Sequence, residues 1–188
     1  MATHIALLRG INVGGKNRVA MPALREVVTS LGHADVTTYI QSGNVVFSTG
    51  ETDTAALAAA LEKAIAAELG VPAAVVVLSR AELAAAVDAN PYPDEPNPKF
   101  VHAVFLPREP AAEMADFVAA AQQAAAQKGS RDTARLTGRV LYLHTPDGLG
   151  RSELAVQLGK ARGPMAARQA GTARNWATLT RLLALCDT

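Results

Sequence analysis

The chain opens on an apolar run and a loop rich in glycine and cations, HIALLRGINVGGKNR at residues 4–18. The run His4–Leu8 is typical of a buried β-strand. The loop that follows, residues 9–18, holds three glycines, two asparagines and three cations, and no acidic residue. Glycine lets backbone N–H groups turn toward a ligand, while arginine and lysine add positive charge. This stretch therefore predicts a site for an anion such as a phosphate or a carboxylate.

The same loop matches part of the phosphate-binding P-loop motif. The motif is matched by Gly10, four intervening residues, Gly15 and Lys16. The next position, however, is Asn17 instead of the Ser or Thr that would bind magnesium. The helix that should begin at the Gly-Lys pair is also absent, because the next helix signal is Pro22. We therefore expect Lys16 on an irregular loop and not in a nucleoside triphosphatase. The alternative is a solvated connection whose glycines form turns and whose cations aid solubility.

The first half of the chain predicts the element order β-α-β-β-α-β. Both helices have apolar residues at helical spacing and are followed by a glycine. The two middle strands are joined through Ser42-Gly43-Asn44, a tight-hairpin signal. This order is the ferredoxin-like pattern. The predicted elements are His4–Leu8, Pro22–Leu31, Thr37–Gln41, Val45–Ser48, Thr54–Leu69 and Ala73–Leu78.

A proline-rich connector at residues 90–98 separates this half from the next. It contains four of the ten prolines, too many for a helix or a central strand. We expect Ser79 to cap a short helix, Arg80–Asp88, before it. The elements predicted after it are strands at Phe100–Leu106, Ala134–Leu136 and Val140–His144, and helices at Ala111–Gln127, near Ser152–Ala161 and at Ala173–Leu185.

The two halves repeat at similar spacing. Gly43 of the first hairpin corresponds to Gly138 of the second, 95 residues later, and the first strands match at an offset of 98. Such offsets indicate an internal duplication. The predicted fold class is α+β, with two tandem ferredoxin-like (βαββαβ-type) lobes and a C-terminal helix. We expect the lobes at residues 1–89 and 99–188, and only the first carries the glycine-rich loop.

Charge and composition restrict the class of protein. The net charge of +1 argues against a general polyanion binder, yet residues 1–50 carry +2, residues 51–150 carry −5 and residues 151–188 carry +4. A single cysteine, Cys186, excludes an intramolecular disulfide framework. No signal peptide or membrane-length apolar run is present, so we expect a cytoplasmic protein. The four histidines are scattered, and neither a metal nor a cofactor is predicted.

The second basic segment opens the last predicted helix. Thr172 is a suitable N-cap, and helical spacing places Arg174, Thr178 and Arg181 on one face with Trp176 opposite. The cationic face and the helix N-terminus could then meet an anion. The alternative, favoured when this segment is considered alone, is a solvated helix face with Trp176 packed on the core.

Four segments of the chain resemble a bacterial family called domain of unknown function 1697. The resemblance implies an α+β fold with duplicated ferredoxin-like lobes. No activity, ligand or catalytic residue is established for that family, so none is carried over. This chain departs at Ala173 and Ala177, where similar proteins often have Thr and Asn, so contacts made by those side chains would be missing. The segments are LLRGINVGG at 7–15, SGNVVF at 42–47, Asn-Pro-Tyr at 90–92 and TARNW at 172–176.

The leading hypothesis is a protein, with or without enzyme activity, that binds a small anionic ligand such as a nucleotide or a phosphorylated metabolite. No nucleophile, acid or base is identifiable. One alternative is a single-stranded nucleic-acid-binding protein, because ferredoxin-like lobes are also the scaffold of RNA-recognition domains. The chain has only eight aromatic residues, which is few for stacking against bases. Another is a protein-interaction module without a small ligand; no membrane partner is expected. The candidate ligand-binding residues are Arg9, Gly10, Asn12, Gly14, Gly15, Lys16, Asn17, Arg18, Gln41, Ser42, Asn44, Arg174 and Asn175.

Overall fold

The computed structural model describes residues 1–161 and 171–188, and the chain divides into two compact units. The first comprises Met1–Val87 with Thr180–Thr188, and the second comprises Asp88–Leu179. Each unit contains a four-stranded antiparallel sheet, and the described ranges hold six α-helices. The mixed α+β class that the sequence predicts is therefore confirmed. The predicted connector, residues 90–98, lies within the second unit.

The first unit follows the predicted order of strands and helices. Its sheet has the strand order β2-β3-β1-β4, and Ile5 in the central strand β1 lies opposite Val46 on one side and Leu78 on the other. The elements are β1 His4–Arg9, α1 Met21–Ser30, β2 Ala34–Tyr39, β3 Asn44–Ser48, α2 Thr54–Leu69, β4 Ala74–Ser79 and then α3 Arg80–Asp88.

The second unit repeats this strand order. Its sheet runs β6-β7-β5-β8, with β5 between β7 and the edge strand β8. A short 3-10 turn, Leu149–Arg151, precedes α5. The elements are β5 Val101–Phe105, α4 Glu113–Ala126, β6 Thr133–Thr137, β7 Val140–His144, α5 Glu153–Leu158 and β8 Thr172–Asn175. The last helix, α6 Trp176–Cys186, begins in this unit, and its residues from Thr180 onward belong to the first unit.

Burial of the first strand explains why it forms the centre of the sheet. All of Ile5–Leu8 is buried, as expected for a short apolar run without alternation. Alternate side chains point to opposite faces of a strand, so Ala6 and Leu8 share a face and join one core with Phe47 of β3. Apolar residues at helical spacing on α1 and α2 complete that core, among them Leu24, Val28, Leu61 and Ile65.

Hydrogen-bonding side chains start two of the helices. The carboxylate of Asp53 accepts the N–H groups of Ala55 and Ala56 at the start of α2. At α3 the hydroxyl of Ser79 accepts the N–H of Glu82, whose carboxylate accepts the N–H of Ser79 in return. This reciprocal capping box confirms the cap expected at Ser79.

The predicted start of the last helix is wrong. Residues Thr172–Asn175 form the edge strand β8, paired with β5, and the helix begins at Trp176. Asn175, and not Thr172, caps it by accepting the N–H of Thr178 at 2.9 Å. Arg174 therefore does not share a helix face with Thr178. The strand that pairs with β8 lies about 70 residues earlier in the chain, so the pairing is a non-local contact. A strand of four residues is also too short for its hydrophobic pattern to identify it from the sequence.

The second strand begins and ends earlier than predicted. It covers Ala34–Tyr39 instead of Thr37–Gln41, because Ile40 has a φ of 50° and so leaves the extended region. The hairpin turn consequently occupies residues 40–43. Helix α5 is also shorter than the predicted Ser152–Ala161, since it ends at Leu158.

The hairpin turn packs directly against the end of β1. Gly43 has a φ of 77°, and its carbonyl accepts the N–H of Leu8 at 2.8 Å. A Cβ atom at Gly43 would lie 2.7 Å from Leu8 Cβ and 2.7 Å from Ile11 Cδ1. Only glycine combines that backbone conformation with that close approach.

We expect Gly43→Ala to destabilise the protein by about 2–4 kcal/mol, from left-handed backbone strain and overpacking. Urea unfolding measures the change. Gly50→Ala is the matched control, because no atom lies within 4 Å of the position that its Cβ would take and its φ is not positive. Equal stability of the two variants would contradict this account of the turn.

Two histidines of the first unit contact the same buried ring. The ring centroid of Phe47 lies 5.9 Å from that of His4 and 4.8 Å from that of His33. Burial lowers the pKa of both histidines below the ordinary value. For His4, Glu82 and Glu51 oppose this decrease in pKa, while His33 adds to it.

Acidification is expected to destabilise the fold through these histidines. A depressed pKa in the folded state means that the unfolded chain binds protons more readily, so stability is lost as the pH falls below the unfolded value of about 6.5. We expect the melting temperature to fall between pH 7.5 and 5.5. The decrease should be smaller for the His4→Gln/His33→Gln variant. An identical pH slope for both proteins would contradict this assignment.

Candidate functional site

The glycine-rich loop after β1 forms a small β-hairpin. Val13 and Lys16 make an isolated antiparallel bridge, in which Lys16 N–H donates to the Val13 carbonyl at 3.1 Å. Gly14 and Gly15 between them have φ values of 59° and 77°, as a type I′ turn requires. These two glycines therefore reverse the chain. Because α1 begins only at Met21, Lys16 lies on a loop and not at a helix N-terminus, as expected.

Two asparagines with left-handed backbones fix the shape of the hairpin. The Asn12 Nδ2 group donates to the carbonyls of Val19 at 2.9 Å and Gln41 at 2.8 Å, and Asn12 Oδ1 accepts the N–H of Val19. Asn17 donates from Nδ2 to the Gly10 carbonyl at 3.0 Å. Their φ values are 55° and 50°, a region that asparagine tolerates. The asparagines thus serve the loop itself, and Asn12 ties it to the hairpin turn at Gln41.

The three cations of the loop are left without partners by this arrangement. Arg9, Lys16 and Arg18 are exposed, and in the part of the chain that the structure describes their side chains make no hydrogen bond or ion pair. The first 25 residues contain no acidic residue. The loop therefore presents uncompensated positive charge.

An open depression of about 490 Å³ lies at the base of the hairpin. Helix α1 begins at its wall, where Ala20 occupies the N-cap position without a side-chain cap and the first turn has no acidic residue. The positive end of the helix dipole adds to the charge of Arg18. The depression is lined by Asn12, Gly15, Arg18, Val19, Ala20 and Gln41.

The residues predicted on the neighbouring hairpin have different environments. Gln41 is exposed and lines the depression. Asn44 is fully buried and donates to the Tyr39 carbonyl at 2.9 Å and to the Ser42 hydroxyl at 3.0 Å. Of these three candidates, only Gln41 lines the depression, while Asn44 holds the turn together.

The other two candidates belong to the second unit. Arg174 and Asn175 lie on β8, and the Asn175 side chain is the cap of α6. The Arg174 guanidinium donates to the Ala173 carbonyl, and burial lowers its pKa to about 10. The side chain therefore remains charged at neutral pH.

A contact that the sequence does not reveal fixes the proline-rich segment of the second unit. The Nε2 atom of His144 lies 2.6 Å from Oε2 of Glu95, and the ring of Tyr92 lies 5.2 Å from that of His144. The N–H of Asn97 and the His144 side chain lower the pKa of Glu95. Residues 90–98 are therefore fastened to β7, and His144 is more than an ordinary strand-edge histidine.

The described ranges, residues 1–161 and 171–188, carry neither a metal cluster nor a membrane-spanning helix. Within those ranges, no group of three or more His, Cys, Asp or Glu side chains is placed to hold a metal ion. Within the same ranges, no helix has both the length and the apolar character needed to cross a bilayer.

Comparison with known proteins establishes the family. Residues 1–142 match the model of a family described as "Protein of unknown function (DUF1697)", so the chain belongs to that family and the resemblance noted from the sequence is confirmed. The structure is similar to that of the conserved bacterial protein SP0830 from Streptococcus pneumoniae, at 23% identity over 98% of each chain and a TM-score of 0.69. At this identity the similarity concerns the fold. The chain matches no curated protein.

We expect Asn12→Gly to loosen the loop, because it removes three hydrogen bonds while leaving the left-handed backbone unstrained. The loss of stability should be about 1–3 kcal/mol. Hydrogen exchange at the Val19 amide, whose acceptor is removed, should accelerate. Asn17→Gly removes one exposed hydrogen bond and is the control. Unchanged exchange at Val19 in Asn12→Gly would show that the carboxamide does not hold the loop.

Proposed function

We propose that the protein binds a small anionic ligand, such as a nucleotide or a phosphorylated metabolite, in the depression beside loop 9–18. The observation that carries this proposal is the uncompensated charge of the loop. Arg9, Lys16 and Arg18 are exposed and unpaired within the described ranges. Some other exposed cations, such as Arg131 and Lys128, form ion pairs, whereas all three cations of loop 9–18 have none in the described part of the chain. A loop held in shape by its own hydrogen bonds also loses little conformational entropy on binding.

The chemistry of the depression suits one anionic group. The planar guanidinium of Arg18 can donate two parallel hydrogen bonds to a phosphate or a carboxylate. Gln41 adds a carboxamide donor on the opposite segment, and the start of α1 adds the positive end of a helix dipole. The six lining residues include no side chain that could act as a nucleophile or general base. The proposal is therefore one of binding, and no reaction is assigned.

Nucleic acid is a less favoured ligand because two of the three aromatic rings on the hairpins of the sheets are buried. Single-stranded nucleic acids stack their bases on exposed aromatic side chains. Of the three hairpin aromatics, Phe47 and Tyr142 are 0% and 1% exposed, and Tyr39 is half-buried. Saturable binding of a mononucleotide that depends on Arg18 would favour the small anionic ligand over single-stranded nucleic acid.

We also propose that the two units derive from one duplicated ferredoxin-like unit. The strand orders of the two sheets, β2-β3-β1-β4 and β6-β7-β5-β8, correspond strand for strand, which supports this origin. In the second unit, β5 is followed by Leu106-Pro107-Arg108 instead of a glycine-rich loop. The ligand site would therefore be a feature of the first unit alone.

Titration of ¹⁵N-labelled protein with AMP tests the proposed function. We expect amide shifts in residues 10–20 and the Gln41 side chain, with binding weakened about 10- to 100-fold in Arg18→Gln, the range of a charge-assisted hydrogen bond. Arg181→Gln, another exposed arginine without a partner in the described ranges, is the matched control and should bind normally. Shifts outside the loop, or equal binding by both variants, would contradict the proposal.

A further inference from the structure

Ile40 has a backbone conformation that its side chain disfavours. Four residues other than glycine have positive φ values in the described ranges, and three of them are Asn or Asp, which adopt this region readily. Ile40, with a φ of 50°, is the β-branched exception. Glycine or asparagine would form the same turn with less strain. The presence of isoleucine at this position therefore calls for a reason outside the turn.

The core of the first unit does not supply that reason. The Ile40 side chain is 51% exposed and is not part of the buried apolar cluster. Val13, at the hairpin of the glycine-rich loop, is 69% exposed. Few large apolar side chains in the described ranges are exposed to this degree, and these two are adjacent in sequence to the residues that form the base of the depression.

The hydrogen bond between Asn12 and Gln41 joins the two backbone segments that carry these apolar residues, although neither residue lines the depression. Val13 follows Asn12 and Ile40 precedes Gln41, and the Asn12 Nδ2 group lies 2.8 Å from the Gln41 carbonyl oxygen. Val13 and Ile40 are therefore each next in sequence to a residue that lines the depression. Arg18 and the Gln41 carboxamide in that lining are available to a ligand.

We infer that the ligand carries an apolar group beside its anionic group, and that Val13 and Ile40 contact the apolar group while Arg18 and Gln41 hold the anion. This inference rests on the proposed function and specifies its ligand as an organic phosphate or carboxylate with an aromatic or aliphatic part. A magnesium polyphosphate is a poor fit, because the lining has a single cation and neither a carboxylate nor a hydroxyl to coordinate the metal.

The size of the expected effect follows from the area that is covered. Burial of apolar surface contributes about 25 cal/mol per Å², so covering roughly 50–60 Å² of the two side chains and the ligand strengthens binding about tenfold. The gain arises only when a ligand is bound. Strain at Ile40 would then be tolerated for the sake of this contact, in the way that strained backbone is retained at binding sites.

The test compares two probes that share the anionic group. Phenyl phosphate and inorganic phosphate are titrated separately against ¹⁵N-labelled wild-type protein, Ile40→Asn and Val156→Asn. Val156 is 55% exposed on α5 of the second unit and is the matched control. We expect phenyl phosphate to bind wild type and Val156→Asn about tenfold more tightly than inorganic phosphate. For Ile40→Asn, in which Val13 remains, this ratio should fall to about three, with inorganic phosphate bound as before.

Stability provides a second, independent readout of the same variant. Because asparagine relieves the strain at position 40, we expect Ile40→Asn to raise the melting temperature by about 2–4 °C. A clear decrease would mean that the fold itself needs Ile40, and the inference would be overturned. An unchanged phenyl-to-inorganic phosphate ratio in this variant would also overturn it.

Two further outcomes separate this inference from the proposed function. If neither phosphate shifts the loop amides, the anion site itself is wrong and both proposals fail. If both phosphates bind wild type equally, the anion site stands and the apolar contact is rejected. Vesicles of anionic phosphatidylglycerol form the last arm, since a lipid surface also presents phosphate beside apolar groups. Ile40-dependent binding to vesicles without binding of phenyl phosphate would reject a small ligand.

Discussion

The close approach between Gly43 and the end of β1 is the contact on which the first unit depends. A side chain at this position would collide with Leu8 and Ile11, so glycine sets the distance between the β2–β3 turn and the strand. That distance brings Gln41 within hydrogen-bonding reach of Asn12. The Asn12 carboxamide in turn holds Val19, which leads into α1. One glycine in the core thus determines where the charged loop and the start of a helix meet.

Much of the fold could be predicted from the sequence because its signals are local. The apolar run of β1, the glycine stops of two helices and the capping Ser79 each act within a few residues, and each has the predicted structure. Strand β8 could not be predicted in this way. Its four residues acquire their structure by pairing with β5, and the same residue types suit a helix start equally well until that partner is known.

The candidate site was predicted in part, and the difference lies in what each side chain does. Charge is a property of residue type, so the cations of loop 9–18 were identifiable from the sequence. The functions of the asparagines were not, because Asn12, Asn17 and Asn44 are occupied by carbonyl groups that the fold brings to them. Ile40 was missed for a related reason. An isoleucine in a predicted strand is ordinary until its φ of 50° and its exposure are seen.

Several features that weaken the first unit lie in loop 9–18 and in the hairpin turn at residues 40–43. Three cations that have no partner in the described ranges repel one another, a β-branched residue has a left-handed backbone, and two apolar side chains face solvent. Each could be removed by a single substitution without disturbing the apolar core. Elsewhere in the described ranges some cations are paired, as Arg80 is with Asp187, and positive φ is confined to glycine, asparagine and aspartate. The proposed ligand would account for a loop that is held in shape by its own hydrogen bonds and yet has an unfavourable surface.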